Sequence, residues 1–198
     1  MHGYRKFCNK IYQATKYVLG KLGNDFVPRD SGALTGKESL PERWIMTKMN
    51  TAAKQINQAL EEREFAKSTQ ISYRLLYNEL FDIYVENSKS ILSDGTPEEA
   101  RSAKDTLYTT LESGLQLMSP FMPFLTEELW QCLPRRPGDN TCSVSIAEYP
   151  EFEDSHVYIA CDNSHGAKLV VERAHSVCVL LGTSYFTSKY RFWQPMLS

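Results

Sequence analysis

The stretch TPEEARSAKDTLYTTLESGLQLM, residues 96–118, reads as one long amphipathic helix with its start written into it. Thr96 is a capping residue, Pro97 suits a first turn where its missing N–H is no loss, and Glu98 and Glu99 place negative charge at the positive end of the helix dipole. Behind them Ala100, Ala103, Leu107, Leu111, Leu115 and Met118 recur at three- and four-residue steps. That spacing lines one face with apolar side chains. A helix of this kind needs neighbours to cover the stripe, and the flanking sequence supplies them.

On the C-terminal side, Pro120 and Pro123 break the pattern, and a short helix follows over about 123–132. A loop over 133–140 then leads to a short extended stretch, Ser143–Tyr149. On the N-terminal side, Ser93-Asp94-Gly95 closes a helix over roughly 66–91, with Tyr73, Leu76, Leu80, Ile83 and Asn87 along one side and Leu75, Phe81 and Tyr84 widening it. Another helix opens at Ser39 with Pro41 in its first turn and Glu42 completing a capping box. Its stripe is Ile45, Met49, Ala52, Ile56 and Leu60. Residues 23–38 are a linker rich in glycine and turn formers. Residues 4–22 form the first helix, with Phe7, Ile11, Ala14, Val18 and Leu22 facing inward. The fold class is therefore all-α, an antiparallel helical bundle over residues 1–150. Residues 151–198 form a divergent tail of uncertain structure, in which 169–171 and 177–181 have strand character.

The chain has 198 residues, 42% apolar and 23% charged, with a net charge of -2. This is ordinary for a globular protein and argues against a generally basic nucleic-acid binder. The five cysteines are dispersed without a CxxC, as expected of free thiols in a reducing compartment. Lysines and arginines interrupt the N-terminal segment, so no signal peptide is read, and no apolar run approaches a membrane span. The expected location is cytoplasmic.

No nucleotide-binding glycine loop, zinc-protease motif or nucleophile elbow is present. Glu127-Glu128 is a carboxylate pair, but neighbours on a helix point different ways, which favours a helix-start or packing role. Cys161, His165, His175 and Cys178 have zinc-ligand chemistry without the spacing of a familiar finger. Arg135-Arg136, between two prolines, reads as a solvated turn. The strongest binding signal is the first helix. Arg5, Lys6, Lys10, Lys16 and Lys21 all precede the first acidic residue, Asp25, and Tyr4, Tyr12 and Tyr17 interleave with them. Cations in that pattern can neutralise phosphates and tyrosines can stack on unpaired bases, although a solvated helix face has the same composition.

Four segments, in order, resemble the valyl group of class I aminoacyl-tRNA synthetases. They are Gly3-Tyr4-Arg5-Lys6-Phe7-Cys8-Asn9-Lys10-Ile11, then Glu38-Ser39-Leu40 with Arg43-Trp44-Ile45, then Asp82-Ile83-Tyr84-Val85-Glu86, and finally Ser119-Pro120-Phe121-Met122-Pro123-Phe124-Leu125-Thr126-Glu127-Glu128-Leu129-Trp130. The last is shared more loosely with the leucyl, isoleucyl and methionyl enzymes. Ser119 departs from the family, which more often has histidine there. The resemblance implies the helical anticodon-binding domain, with the anticodon arm of a valine tRNA and the parent enzyme's catalytic domain as partners. It directs attention to Lys6, Asn9, Lys10, Lys16 and Arg43 as RNA-binding residues. Asn9 could equally serve helix packing, and Arg43 could equally be an ion-pair partner near Trp44. The HIGH-type and KMSKS-type catalytic signatures are missing, which suggests a truncated product. ATP and magnesium would belong to the parent enzyme, with no cofactor and no metal in this fragment. The alternative reading is a non-catalytic helical module that binds RNA or a protein.

Overall fold

The computed structural model describes residues 2–32, 35, 36 and 38–152. Five helices follow one another among the described residues. They are α1 (His2–Leu22), α2 (Leu40–Glu61), α3 (the continuous segments Phe65–Tyr73, Arg74–Tyr84 and Val85–Asp94), α4 (Pro97–Met118) and α5 (Pro123–Gln131). No strand occurs among the described residues. The strand readings at 169–171 and 177–181, and the Cys161/His165/His175/Cys178 set, lie outside the described residues.

Helix α4 packs against all four of the others. Ala103, Leu107, Leu111 and Leu115 have no exposed surface, while Tyr108, Thr110, Leu117 and Met118 extend the burial around the helix. Its start is as the sequence indicates. Glu99 accepts hydrogen bonds from the Thr96 N–H and hydroxyl, both at 2.9 Å, and Thr96 Oγ1 accepts from the Glu99 N–H at 3.3 Å. At the start of α2, Glu42 accepts from the Ser39 N–H at 2.8 Å and also from Ser102 Oγ of α4 at 2.8 Å. The capping carboxylate thus ties two helices together, and its burial pushes its pKa upward. Trp44 and Trp130 are both buried in the main core. Helices α3 and α4 approach closely at Gly114, where an added Cβ would lie 2.6 Å from Leu76 Cδ2.

Three local readings are corrected by the structure. The middle of α3, Arg74–Tyr84, is π-helical. Its hydrogen bonds run from i to i+5, so burial steps by five, from Leu75 to Leu80 to Val85 and from Leu76 to Phe81. A stripe drawn at α-helical spacing therefore misplaces Tyr73, which is exposed, and Ile83 and Asn87, which are half-buried. The stretch after α5 is not simply extended, because Val144–Ile146 closes a 3₁₀ turn. Glu127 accepts from Ser143 Oγ and the Val144 N–H, both at 2.9 Å, which gives that carboxylate a packing role.

Arg135 and Arg136 do not form a solvated turn. Arg136 grips Glu112 of α4 through two bonds of 2.9 and 2.6 Å, and donates to the Arg29 carbonyl at 2.8 Å. Tyr108 Oη lies 2.8 Å from Glu112 Oε1 and 2.8 Å from the Pro134 carbonyl oxygen. The Arg135 guanidinium lies 3.5 Å from the centroid of the Trp130 ring. One network thereby fastens the 23–38 linker and the loop after α5 to the central helix.

Removing one partner of a buried ion pair leaves the other uncompensated. Arg136→Ala is expected to destabilise the chain by about 3 kcal/mol in urea unfolding, and the double change Arg136→Met with Glu112→Leu by clearly less. Equal losses for the single and double variants would show that packing, and not the stranded carboxylate, sets the cost.

Candidate nucleic-acid interface

Helix α1 buries Phe7, Ile11, Val18 and Leu22, together with Thr15. At roughly 100° per residue the remaining positions fall into two rows. Arg5, Asn9, Tyr12 and Lys16 lie opposite the core, and all four are exposed. Lys6, Lys10, Tyr17 and Lys21 form a second row beside the first, and at Lys10 and Tyr17 that row meets side chains of α3. The chain thus brings Lys6, Asn9 and Lys16 to water, while it uses Lys10 differently.

Lys10 is tied to α3. Its Nζ donates to Asp82 Oδ1 at 2.5 Å and lies 3.2 Å from the centroid of the Tyr77 ring. Tyr77 stacks in turn on Tyr73, with centroids 5.0 Å apart and planes inclined by 9°, and Phe7 of α1 contacts Tyr73 at 4.6 Å. Burial lowers the Lys10 pKa, and the bond to Asp82 offsets part of that effect. Its charge is matched within the fold.

Arg43 is likewise engaged. Its Nε donates to the Glu38 carbonyl at 2.8 Å and its Nη2 to the Gly36 carbonyl at 2.6 Å. The Glu38 carboxylate accepts from the Thr35 N–H at 2.6 Å, the Thr35 hydroxyl at 2.7 Å and the Gly36 N–H at 2.8 Å. Burial acts to raise the Glu38 pKa, but the hydrogen bonds from Thr35 and Gly36 outweigh it and hold the pKa below its ordinary value. Arg43 therefore closes the end of the linker onto α2, some distance in sequence from the α1 rows.

One cation near α1 was not evident from the sequence. Lys89 of α3 lies 5.4 Å from the centroid of the Tyr17 ring, and Lys21 lies 5.7 Å from it. In the sequence Lys89 is simply three residues after Glu86, the spacing of an ordinary surface pair, and nothing local connects it to α1. Among the described residues no cluster of His, Cys, Asp or Glu could hold a metal ion, and no helix is long and apolar enough to cross a membrane.

A family model described as the anticodon-binding domain of tRNA ligase matches residues 42–180. Helix α1 lies ahead of that match. The valine–tRNA ligase of Schizosaccharomyces pombe is 53% identical over 150 residues, covering 76% of this chain and 15% of that protein. A mitochondrial valine–tRNA ligase of Saccharomyces cerevisiae is 43% identical over 173 residues, 87% of this chain and 16% of that protein. The valine–tRNA ligase of Aquifex aeolicus is 34% identical over 167 residues, 79% of this chain and 14% of that protein. The chain spans about 15% of the length of the relatives it matches.

The Glu38 loop carries a pH dependence of defined sign. A carboxylate whose pKa is lowered on folding adds stability above its unfolded pKa, and that stability is lost as pH falls through the folded value. Glu38→Gln is therefore expected to be less stable than the unaltered chain at pH 7, with a smaller difference at a pH below the ordinary glutamate value of about 4.3. Urea midpoints at the two pH values test this, and an equal loss at both would show that ionisation does not hold the loop.

Proposed function

The chain belongs to the family of anticodon-binding domains of tRNA ligases, and from that premise we propose that it is the part of a valine–tRNA ligase that grips the anticodon arm of a valine tRNA. The observation that carries the reading is the water-facing row of α1, where Arg5, Asn9, Tyr12 and Lys16 stand exposed, with Lys6 exposed beside them. Phosphate contacts from Lys6 and Lys16 position the hairpin, and Asn9 and Tyr12 are placed to meet unpaired bases. Lys10 and Arg43 act on RNA affinity through the shape of the fold, Lys10 by holding α1 against α3 and Arg43 by closing the linker.

In the parent enzyme, activation of valine with ATP and magnesium falls to a separate catalytic domain, against which this bundle docks, in the cytoplasm. The RNA-binding unit lies within residues 1–150.

The test is a titration of the chain against a valine-tRNA anticodon hairpin and an anticodon-swapped hairpin at two salt concentrations. Salt-sensitive binding that favours the valine hairpin is expected, because released counterions drive phosphate contacts. Alanine at both Lys6 and Lys16, with the melting temperature unchanged, is expected to weaken binding by at least tenfold near 0.1 M salt, roughly one counterion each. Unchanged affinity in that variant refutes the α1 surface. The purified chain is also expected to show no valine-dependent ATP–pyrophosphate exchange.

A further inference from the structure

The ring of Tyr17 lies at the seam between α1 and α3, with a lysine from each helix beside it. Lys21 Nζ is 5.7 Å and Lys89 Nζ 5.4 Å from its centroid. The ring is half-buried, and its hydroxyl is enclosed without a hydrogen-bond partner among the described residues. Lys89 also binds both oxygens of Glu86, at 2.7 and 2.8 Å, while remaining 47% exposed. Glu86 acts electrostatically on Tyr17 and on Lys10 as well. A lysine from each of two helices therefore lies beside one aromatic ring, with the Glu86 carboxylate bound to one of them.

We infer that Lys21, Tyr17 and Lys89 form a notch for one nucleotide of the bound RNA, with its phosphate between the two lysines and Glu86 as the internal anion that the phosphate displaces from Lys89. This rests on the reading of α1 as an RNA surface, and extends that surface onto a second helix. The chemistry favours a phosphodiester. A phosphate is a divided anion that two separated ammonium groups can share, and a nucleotide also brings a flat base for the ring beside them. The Glu86–Lys89 pair keeps Lys89 in place before RNA arrives. An exposed pair at this spacing is worth little by itself, so exchanging the carboxylate for a phosphate costs little.

The experiment uses the full chain and the valine-tRNA anticodon hairpin. Lys21→Gln and Lys89→Gln are each expected to bind about fivefold more weakly near 0.1 M salt, with the logarithmic salt slope reduced by roughly 0.7 to 1. Lys89→Arg is expected to retain binding. Glu86→Gln is expected to bind about twofold more tightly, because it removes a negative charge from the phosphate's neighbourhood. A purely structural role for Lys89 makes the opposite forecast: Lys89→Gln and Glu86→Gln would lower the melting temperature alike and leave RNA affinity unchanged. That result overturns the notch. Replacing chloride by inorganic phosphate at constant ionic strength distinguishes a free-anion site. If phosphate protects Lys21 and Lys89 from acylation while the variants bind RNA normally, the notch belongs to a free anion and the inference fails. Loss of binding on changing Lys16 but not Lys21 or Lys89 refutes the notch alone, whereas absence of binding by the unaltered chain refutes the α1 surface with it.

Discussion

The burial of α4 against four other helices is the constraint from which the rest of the structure follows. A helix enclosed in this way calls for partners for its polar side chains, since an unpaired buried polar group costs about 1–3 kcal/mol and an unpaired charge more. Glu112, Asp105 and Tyr108 lie on this helix and are buried. Some of their partners lie on the helix itself, Arg101 beside Asp105 and Tyr108 against Glu112, and others come from segments with no regular structure. Arg136 arrives from the loop after α5, and Arg29 from the linker, 2.8 Å from Asp105. The loops are thus positioned by what the central helix must satisfy. The long linker between α1 and α2 is pinned at Arg29 and again at Glu38 and Arg43.

The same principle decides what happens to the cations of α1. The helix presents its lysines in two rows, and the inner row faces acidic side chains of α3. Asp82 and Glu86 of α3 stand along the inner row and compensate Lys10 and Lys89. The outer row, with Arg5 and Lys16, faces water on the side away from the core. The π-helical segment takes part in this sorting. By carrying Tyr77 and Asp82 it presents a ring and a carboxylate to the same ammonium group. A lysine held in that way contributes to helix packing as much as an apolar residue would, because its charge, its stem and the ring beneath it are all used.

Much of the bundle was legible because the features that announce it are local. A cap at Thr96, a capping carboxylate at Glu42 and stripes at three- and four-residue spacing all act within one or two turns, and the sequence displays them side by side. Features that depend on distant partners were not legible. Glu112 and Arg136 are 24 residues apart, and Lys10 and Asp82 are 72 apart. No pattern along the chain indicates that either pair will meet. The π segment escaped for another reason: a change from four- to five-residue spacing partway through one helix looks like noise in a periodicity of 3.6. For the candidate interface, the wheel sets Lys16 away from the apolar stripe, and Lys16 is exposed. The wheel did not foresee that Lys10, one turn from Lys6, would be drawn onto Asp82 and the Tyr77 ring of another helix.

A net charge of -2 is consistent with a polyanionic partner once charges are counted by position. In physiological salt an exposed charge is felt over about 8 Å, so an approaching phosphate responds to the nearest few side chains and hardly to the rest of the molecule. What matters is that α1 has no acidic residue of its own and that the acids facing it are engaged with particular lysines. Asp82 is bound to Lys10 and Glu86 to Lys89, which leaves the outer row with no carboxylate in its own helix. An acid placed among Arg5, Asn9 and Lys16 would cancel the local field at no change in fold. The same acid on α3 contributes to the fold and leaves the outer row's field in place. The distribution of acids between the two helices, and not their number, is what lets a slightly acidic chain present a basic surface.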